Sequence, residues 1–158
     1  MKYILTLLFL LCCFTVKAQT LTGKVSKVSD GDTFTLITQG FKKHRVRLAE
    51  IDAPESDQPF GVVAGSHLRK LILGKEVTVN VVTFDRYKRP VGHIFLGQQN
   101  INKEMVKSGH AWVYRRYSKD KNLLSLESEA KRSKKGLWGL PKSKRIEPWK
   151  WRKAKRPK

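Results

Sequence analysis

The chain has 158 residues and sets 33 Lys and Arg against 13 Asp and Glu, a formal net charge of +20 at pH 7. That balance excludes a cationic partner and points to an anionic one: nucleic acid, an acidic membrane surface or an acidic polysaccharide. Both cysteines, Cys12 and Cys13, lie in an N-terminal apolar run, so a disulfide framework is excluded for the remainder.

Residues 1–18 read as a signal peptide. Lys2 supplies a short positive start, Ile4 to Val16 is almost wholly apolar, and Val16 and Ala18 place small residues for cleavage after Ala18. The run is shorter than the roughly 20 helical residues that cross a bilayer, which argues against a retained anchor. The mature chain is therefore expected to be secreted, or held in the periplasm or cell envelope, without membrane contact. Loss of Lys2 and Lys17 leaves 31 basic residues against 13 acids, a net +18.

From Leu21 the pattern predicts short strands at Thr22–Val28, Asp32–Thr38 and Arg45–Ile51, with a Gly40 turn between the last two. Lys75–Val82 alternates Val77, Val79 and Val81 with polar residues, as a half-buried strand requires, and Pro90–Leu96 is a fifth strand. Helices are predicted over Gly61–Leu73 (Ala64, Leu68, Leu71 and Ile72 on one face), around Ile101–Val106, and from Leu123 to Lys135. This order predicts an α+β fold, mainly β: a five-stranded OB-fold barrel with about three packed helices, spanning residues 19–140.

Residues 141–158 differ in composition, with nine Lys or Arg, one acid, and Trp149 and Trp151 among them. Two readings stand. One is a solvated basic tail with its tryptophans laid back on the domain; the other is an arm whose indoles stack on bases while its cations meet phosphates.

Six carboxylates, Asp30, Asp32, Glu50, Asp52, Glu55 and Asp57, gather between residues 30 and 57 of this basic chain. Carboxylates concentrated in a positive field mark a cation site. If the second and third strands are neighbours, Asp32 and Asp52 share one hard cation, completed by a main-chain carbonyl and water. Arg47 either pairs with Glu50 or Glu55, or aims a bidentate fork at a phosphate. Asp85-Arg86-Tyr87-Lys88-Arg89 forms a charged hairpin tip.

Asp30-Gly31-Asp32-Thr33, Arg47 followed by Asp52-Ala53-Pro54-Glu55, Asp85 to Arg89, and Gly109-His110-Ala111-Trp112-Val113-Tyr114 resemble, in order and spacing, the successive motifs of the staphylococcal nuclease family. The resemblance runs from about Leu21 to Trp138. It implies an OB-fold endonuclease that hydrolyses phosphodiester bonds of DNA and RNA with Ca2+. By that resemblance Asp32, Asp52 and the Ala53 carbonyl would bind the metal. Arg47 and Arg89 would contact the scissile phosphate, and Glu55 would act as general base. Tyr87, with Arg86 beside it, would contact the nucleotide, as would Tyr114 or Tyr117. The alternative reading is a non-catalytic OB-fold module that binds nucleic acid.

Three positions depart from the family pattern. Ala53 stands where some relatives carry threonine, Lys88 where glycine is common, and Arg115 near a base-stacking tyrosine. Asp30, Glu50 and Asp57 receive no role. DNA or RNA is the expected partner of a monomer without a stable protein partner.

Overall fold

A computed structural model of the chain describes residues 19–156; the expected signal peptide lies outside them. Strands β1 (Gln19–Val28), β2 (Thr33–Thr38) and β3 (Lys43–Leu48) form a meander. Further along, β5 (Glu76–Phe84) pairs with β1, and β6 (Pro90–Leu96) pairs with β5. A parallel β3–β6 contact, Arg47 beside Val91 and Leu48 beside Gly92, closes these five strands into the predicted barrel. Bulges after Val25 in β1 and Val81 in β5 supply the extra twist that closure requires.

The alternation read from the sequence is the alternation of burial. Phe34, Leu36, Val46, Leu48, Val77, Val79 and Ile94 fill the barrel. Helix α1 (Gly61–Ile72) covers one end with Ala64, Leu68 and Ile72, while Leu71 is partly buried. Helix α2 (Ile101–Lys107) adds Ile101, Met105 and Val106, and α3 (Lys121–Arg132) adds Leu123. Side chains cap the last two: Asn100 accepts from Lys103 N–H, and Asp120 from Asn122 N–H.

The structure departs from the expected elements in two places that matter to the site. The third strand does not continue from Arg45 to Ile51; it stops at Leu48. Glu50 takes a left-handed backbone (φ 64°), and β4 (Ile51–Asp52) leaves to pair with β8 (Trp112–Val113). Ladder bonds that swap partners hold the break: Leu48 N–H donates to Asp32 O, Ala49 N–H to Gly92 O, and Tyr114 N–H to Glu50 O. Arg47 and Asp52 therefore sit on different strands. Strand β7 (Gln99–Asn100) extends the edge of β6.

The second departure is a fourth helix among the described residues, α4 (Pro148–Ala154), inside the basic C-terminal segment. Pro148 suits its first turn, where a missing N–H costs nothing. Trp149 packs on a small aromatic cluster of Trp112, Ala130, Leu137 and Trp138. The tryptophans are laid back on the domain, as the first reading expects, but from a helix rather than a solvated tail.

Candidate active site

Asp32 ends the turn that leads into β2. Asp30 shapes the turn by accepting the N–H of Asp32 at 3.0 Å. Gly31 is required by close approach, because a Cβ there would lie 2.6 Å from the Ala53 methyl and 2.9 Å from that of Ala64. The turn thus lies directly on the Asp52-Ala53 segment. Asp32 Oδ2 accepts the N–H of Ala53 at 3.0 Å, and Oδ1 accepts the Thr33 hydroxyl at 2.9 Å.

Arg47 binds the two acidic segments together. It donates from Nη1 to Asp32 Oδ1 at 3.1 Å and from Nη2 to Asp52 Oδ1 at 2.8 Å. The partners are neither Glu50 nor Glu55, because the turn at Glu50 directs Asp52 back over β3. Asp32's charge, set against burial and joined by that of Asp52, holds the guanidinium more firmly protonated than usual.

Both aspartates are buried, Asp52 completely. Burial raises the Asp52 carboxyl above its ordinary value, opposed by hydrogen bonds from Arg152 and reinforced by Asp32. Asp30 is pushed up to about 7, first by burial and then by the charge of Asp32. Buried anions crowded this closely demand positive charge, and two guanidiniums already supply part of it.

The donor set fits a hard divalent cation. Two carboxylates lie within reach of a single guanidinium, and the Ala53 main chain follows Asp52 directly and is bonded through its N–H to Asp32. Among the described residues no three His, Cys, Asp or Glu side chains converge into a closed cage. A cation here would rest on the two carboxylates, a main-chain oxygen and water, which leaves coordination positions open.

Glu55 lies just outside the pair, on the loop before α1. Its N–H donates to Gln58 Oε1 at 3.1 Å, and Gln58 N–H returns a bond to the Glu55 carbonyl at 2.9 Å. Gly61 lets α1 start against this loop, since a Cβ at that position would overlap the Glu55 carbonyl oxygen. The carboxylate is one-third exposed and so open to solvent water.

Arg89 is held within its own hairpin. Its Nε donates to Asp85 Oδ2 at 2.7 Å and its N–H to Asp85 Oδ1 at 3.0 Å. Lys88 takes the left-handed backbone (φ 59°) that a glycine would adopt more readily, so the hairpin keeps its turn at a strain. The β3–β6 register sets Arg89 two residues before the partner of Arg47. Tyr87 and Arg86 engage each other at the exposed tip, Nη2 to hydroxyl 2.6 Å.

Tyr114 and Tyr117 meet edge to face, ring centres 4.9 Å apart, beyond β8. Arg115, between them in sequence, turns away to Glu127, a buried carboxylate that also accepts from Lys131 and from the Val113 N–H. A cleft of about 470 Å³ opens here, lined by Tyr114, Arg115, Arg116, Trp149, Arg152, Lys153 and Arg156.

The structure therefore brings together Asp32, Arg47, Asp52, Ala53 and Glu55. It leaves Arg86, Tyr87 and Arg89 on the neighbouring hairpin, and Tyr114 and Tyr117 beside the cleft. Arg152 was not singled out from the sequence. From α4 it donates to Asp52 Oδ1 (3.1 Å) and Oδ2 (2.6 Å) and to Glu55 Oε1 (2.5 Å). Nothing in the composition distinguishes it from the other basic residues around it, because its position depends on how the Trp149 face of α4 packs.

Residues 45–139 match the family model described as "Staphylococcal nuclease homologue". A protein of Haemophilus influenzae named "Uncharacterized endonuclease" is 43% identical over 135 residues, 85% of this chain and 75% of that protein. One of Escherichia coli O157:H7 with the same name is 38% identical over 155 residues, 98% of this chain and 99% of its own length. A "Micrococcal nuclease" of Shigella flexneri is 42% identical over 143 residues, 84% of this chain and 80% of that protein.

Proposed function

Since the chain belongs to the staphylococcal nuclease family, we propose that it is a calcium-dependent, sequence-nonspecific endonuclease that hydrolyses DNA and RNA by in-line attack of water. Relatives named endonuclease and micrococcal nuclease support the nuclease class. The observation that carries the reading is the bridge from Arg47 to both Asp32 and Asp52, with Glu55 on the adjoining loop.

A phosphodiester resists attack because its own charge repels nucleophiles, and catalysis consists of neutralising that charge as it grows. Asp32, Asp52 and the Ala53 carbonyl are the groups that would hold calcium, which when bound supplies positive charge beside a phosphate oxygen. Arg47, one-fifth exposed, would give a phosphate the N–H groups that Asp32 and Asp52 leave unbonded. Glu55 would orient a water molecule and accept its proton; its carboxylate is one-third exposed, and Arg152 bonds one of its two oxygens, Oε1. Arg89 adds a second guanidinium from the hairpin. Tyr87 and Tyr117, both largely exposed, offer rings for bases, whereas Tyr114 is stacked against Trp149. None of these groups reads a base edge, and the general positive field draws any nucleic acid.

In this reading residues 19–140 are the catalytic domain of a monomer exported by the leader and acting outside the cytoplasm. The test is incubation with single- and double-stranded DNA and with RNA, first with calcium and then with chelator. Cleavage that stops on chelation is expected. Binding without cleavage under any condition assigns the chain to the alternative, a non-catalytic module.

A further inference from the structure

Helix α4 is fastened along the edge of the active site. Trp149 stacks flat on Tyr114, ring centres 5.0 Å apart and planes 2° from parallel, and meets Trp112 edge-on at 6.2 Å. Trp151 Nε1 donates to Asp57 at 3.1 Å, and Lys155 pairs with the same carboxylate. Ahead of the helix, the Ile146 carbonyl accepts from Gln58, the residue that orients Glu55. These fastenings deliver the Arg152 guanidinium to both oxygens of Asp52.

The consequence is a shortage of free lone pairs on Asp52. Asp52 Oδ1 already accepts from Arg47 and Arg152, and Oδ2 accepts from Arg152. Of the roughly four lone pairs of this carboxylate three are engaged, two of them by Arg152, so a cation has one free position on Oδ2, pressed against the Arg152 guanidinium, and gains a second only by displacing Arg152. Charge acts in the same direction. Asp32, Asp52 and Glu55, less the charge of Arg47, leave −2, which a divalent ion neutralises; Arg152 halves that deficit before any ion arrives. Its side chain is about one-third exposed, so it can swing into the cleft without unfolding the core.

We propose that Arg152 is an intramolecular competitor of the divalent cation at Asp52, so that the C-terminal helix sets the cation concentration at which the site loads. This rests on the cation reading above. A positioning residue that merely braced Asp52 would lower cation affinity when removed; a competitor raises it.

The experiment is calorimetric titration of the purified protein with calcium, comparing wild type, Arg152→Gln and Trp149→Ala. Arg152→Gln removes the charge, and about tenfold tighter binding is expected. Trp149→Ala loosens the helix without touching Asp52, and a smaller shift in the same direction is expected, which keeps the test decisive should Arg152→Gln fold poorly. Unchanged or weaker binding in the folded variants, beside measurable binding by wild type, overturns the competition and leaves the cation reading intact. Absence of calcium binding in all three proteins overturns both.

Discussion

Asp32 accepts the backbone N–H of Ala53 at 3.0 Å, tying the acid that opens β2 to the residue that follows Asp52. A candidate cation ligand is thus also a structural clamp on its partner's segment. Asp32→Ala leaves that N–H, the Thr33 hydroxyl and one arm of Arg47 without their acceptor. A loss of about 2 kcal/mol is expected from the orphaned groups, read from urea unfolding without added cation. Asp32→Asn, which still accepts hydrogen bonds, is expected to lose less stability while still abolishing calcium binding.

Glu55→Gln separates chemistry from binding. The amide keeps the shape and the loop bond between Glu55 N–H and Gln58, but it cannot take a proton from water. Turnover should fall by about 10²-fold or more with little change in affinity for an uncleaved oligonucleotide. Turnover at the wild-type level would remove Glu55 from the role of base.

The barrel and the acidic island were legible because each rests on a local pattern: alternating Val77 and Val79 for a strand, Ala64, Leu68 and Ile72 for a helix face, Asp-Gly-Asp for a turn. Two features were not. The alternation of Val46 and Leu48 loses phase at Glu50 and Ile51, a slip that a bulge within one strand explains as readily as a break; the break is made by bonds to Asp32, Gly92 and Tyr114, distant in sequence. The partners of Arg47 were misread for the same reason. Arg152 was hidden because charge composition carries no register, and a helix held by Trp149 decides which of several cations faces Asp52.

Glu127 joins α3 to the strand that precedes Tyr114. Burial alone would raise its carboxyl, yet bonds from Arg115, Lys131 and the Val113 N–H hold it below the ordinary range. Glu127→Ala is expected to cost about 2–3 kcal/mol in urea unfolding, less than a fully buried pair because Arg115 and Lys131 reach solvent. Glu127→Gln retains an acceptor for Val113 and should cost less. Equal losses in the two variants would remove the Val113 bond from the account.

His110 provides a pH signature. Its ring stacks on His67 at 3.8 Å and bonds Ser108 Oγ at 2.9 Å. Burial, with His67 alongside, pushes its imidazole down from 6.5 to about 4. Between those values the unfolded chain binds more protons than the folded one, so this group's contribution to stability is complete above pH 6.5 and lost as pH falls toward 4. Asp30, raised to about 7, acts in the opposite sense over the same window, so the signature is a difference: relative to wild type, His110→Asn should gain stability in urea unfolding as pH falls from 6.5 toward 4. A variant whose profile parallels that of wild type would assign the pH dependence to other groups.

Calcium binding and phosphodiester cleavage are to be measured on the same samples of wild type and Asp52→Asn. Asp52 is the fully buried carboxylate on which Arg47 and Arg152 converge. Half-maximal cleavage of a single-stranded oligonucleotide is predicted at the calcium concentration that half-saturates the protein, with both binding and cleavage lost in Asp52→Asn. Cleavage that persists in chelator, or at the wild-type rate in Asp52→Asn, would rule out calcium-dependent cleavage at Asp52.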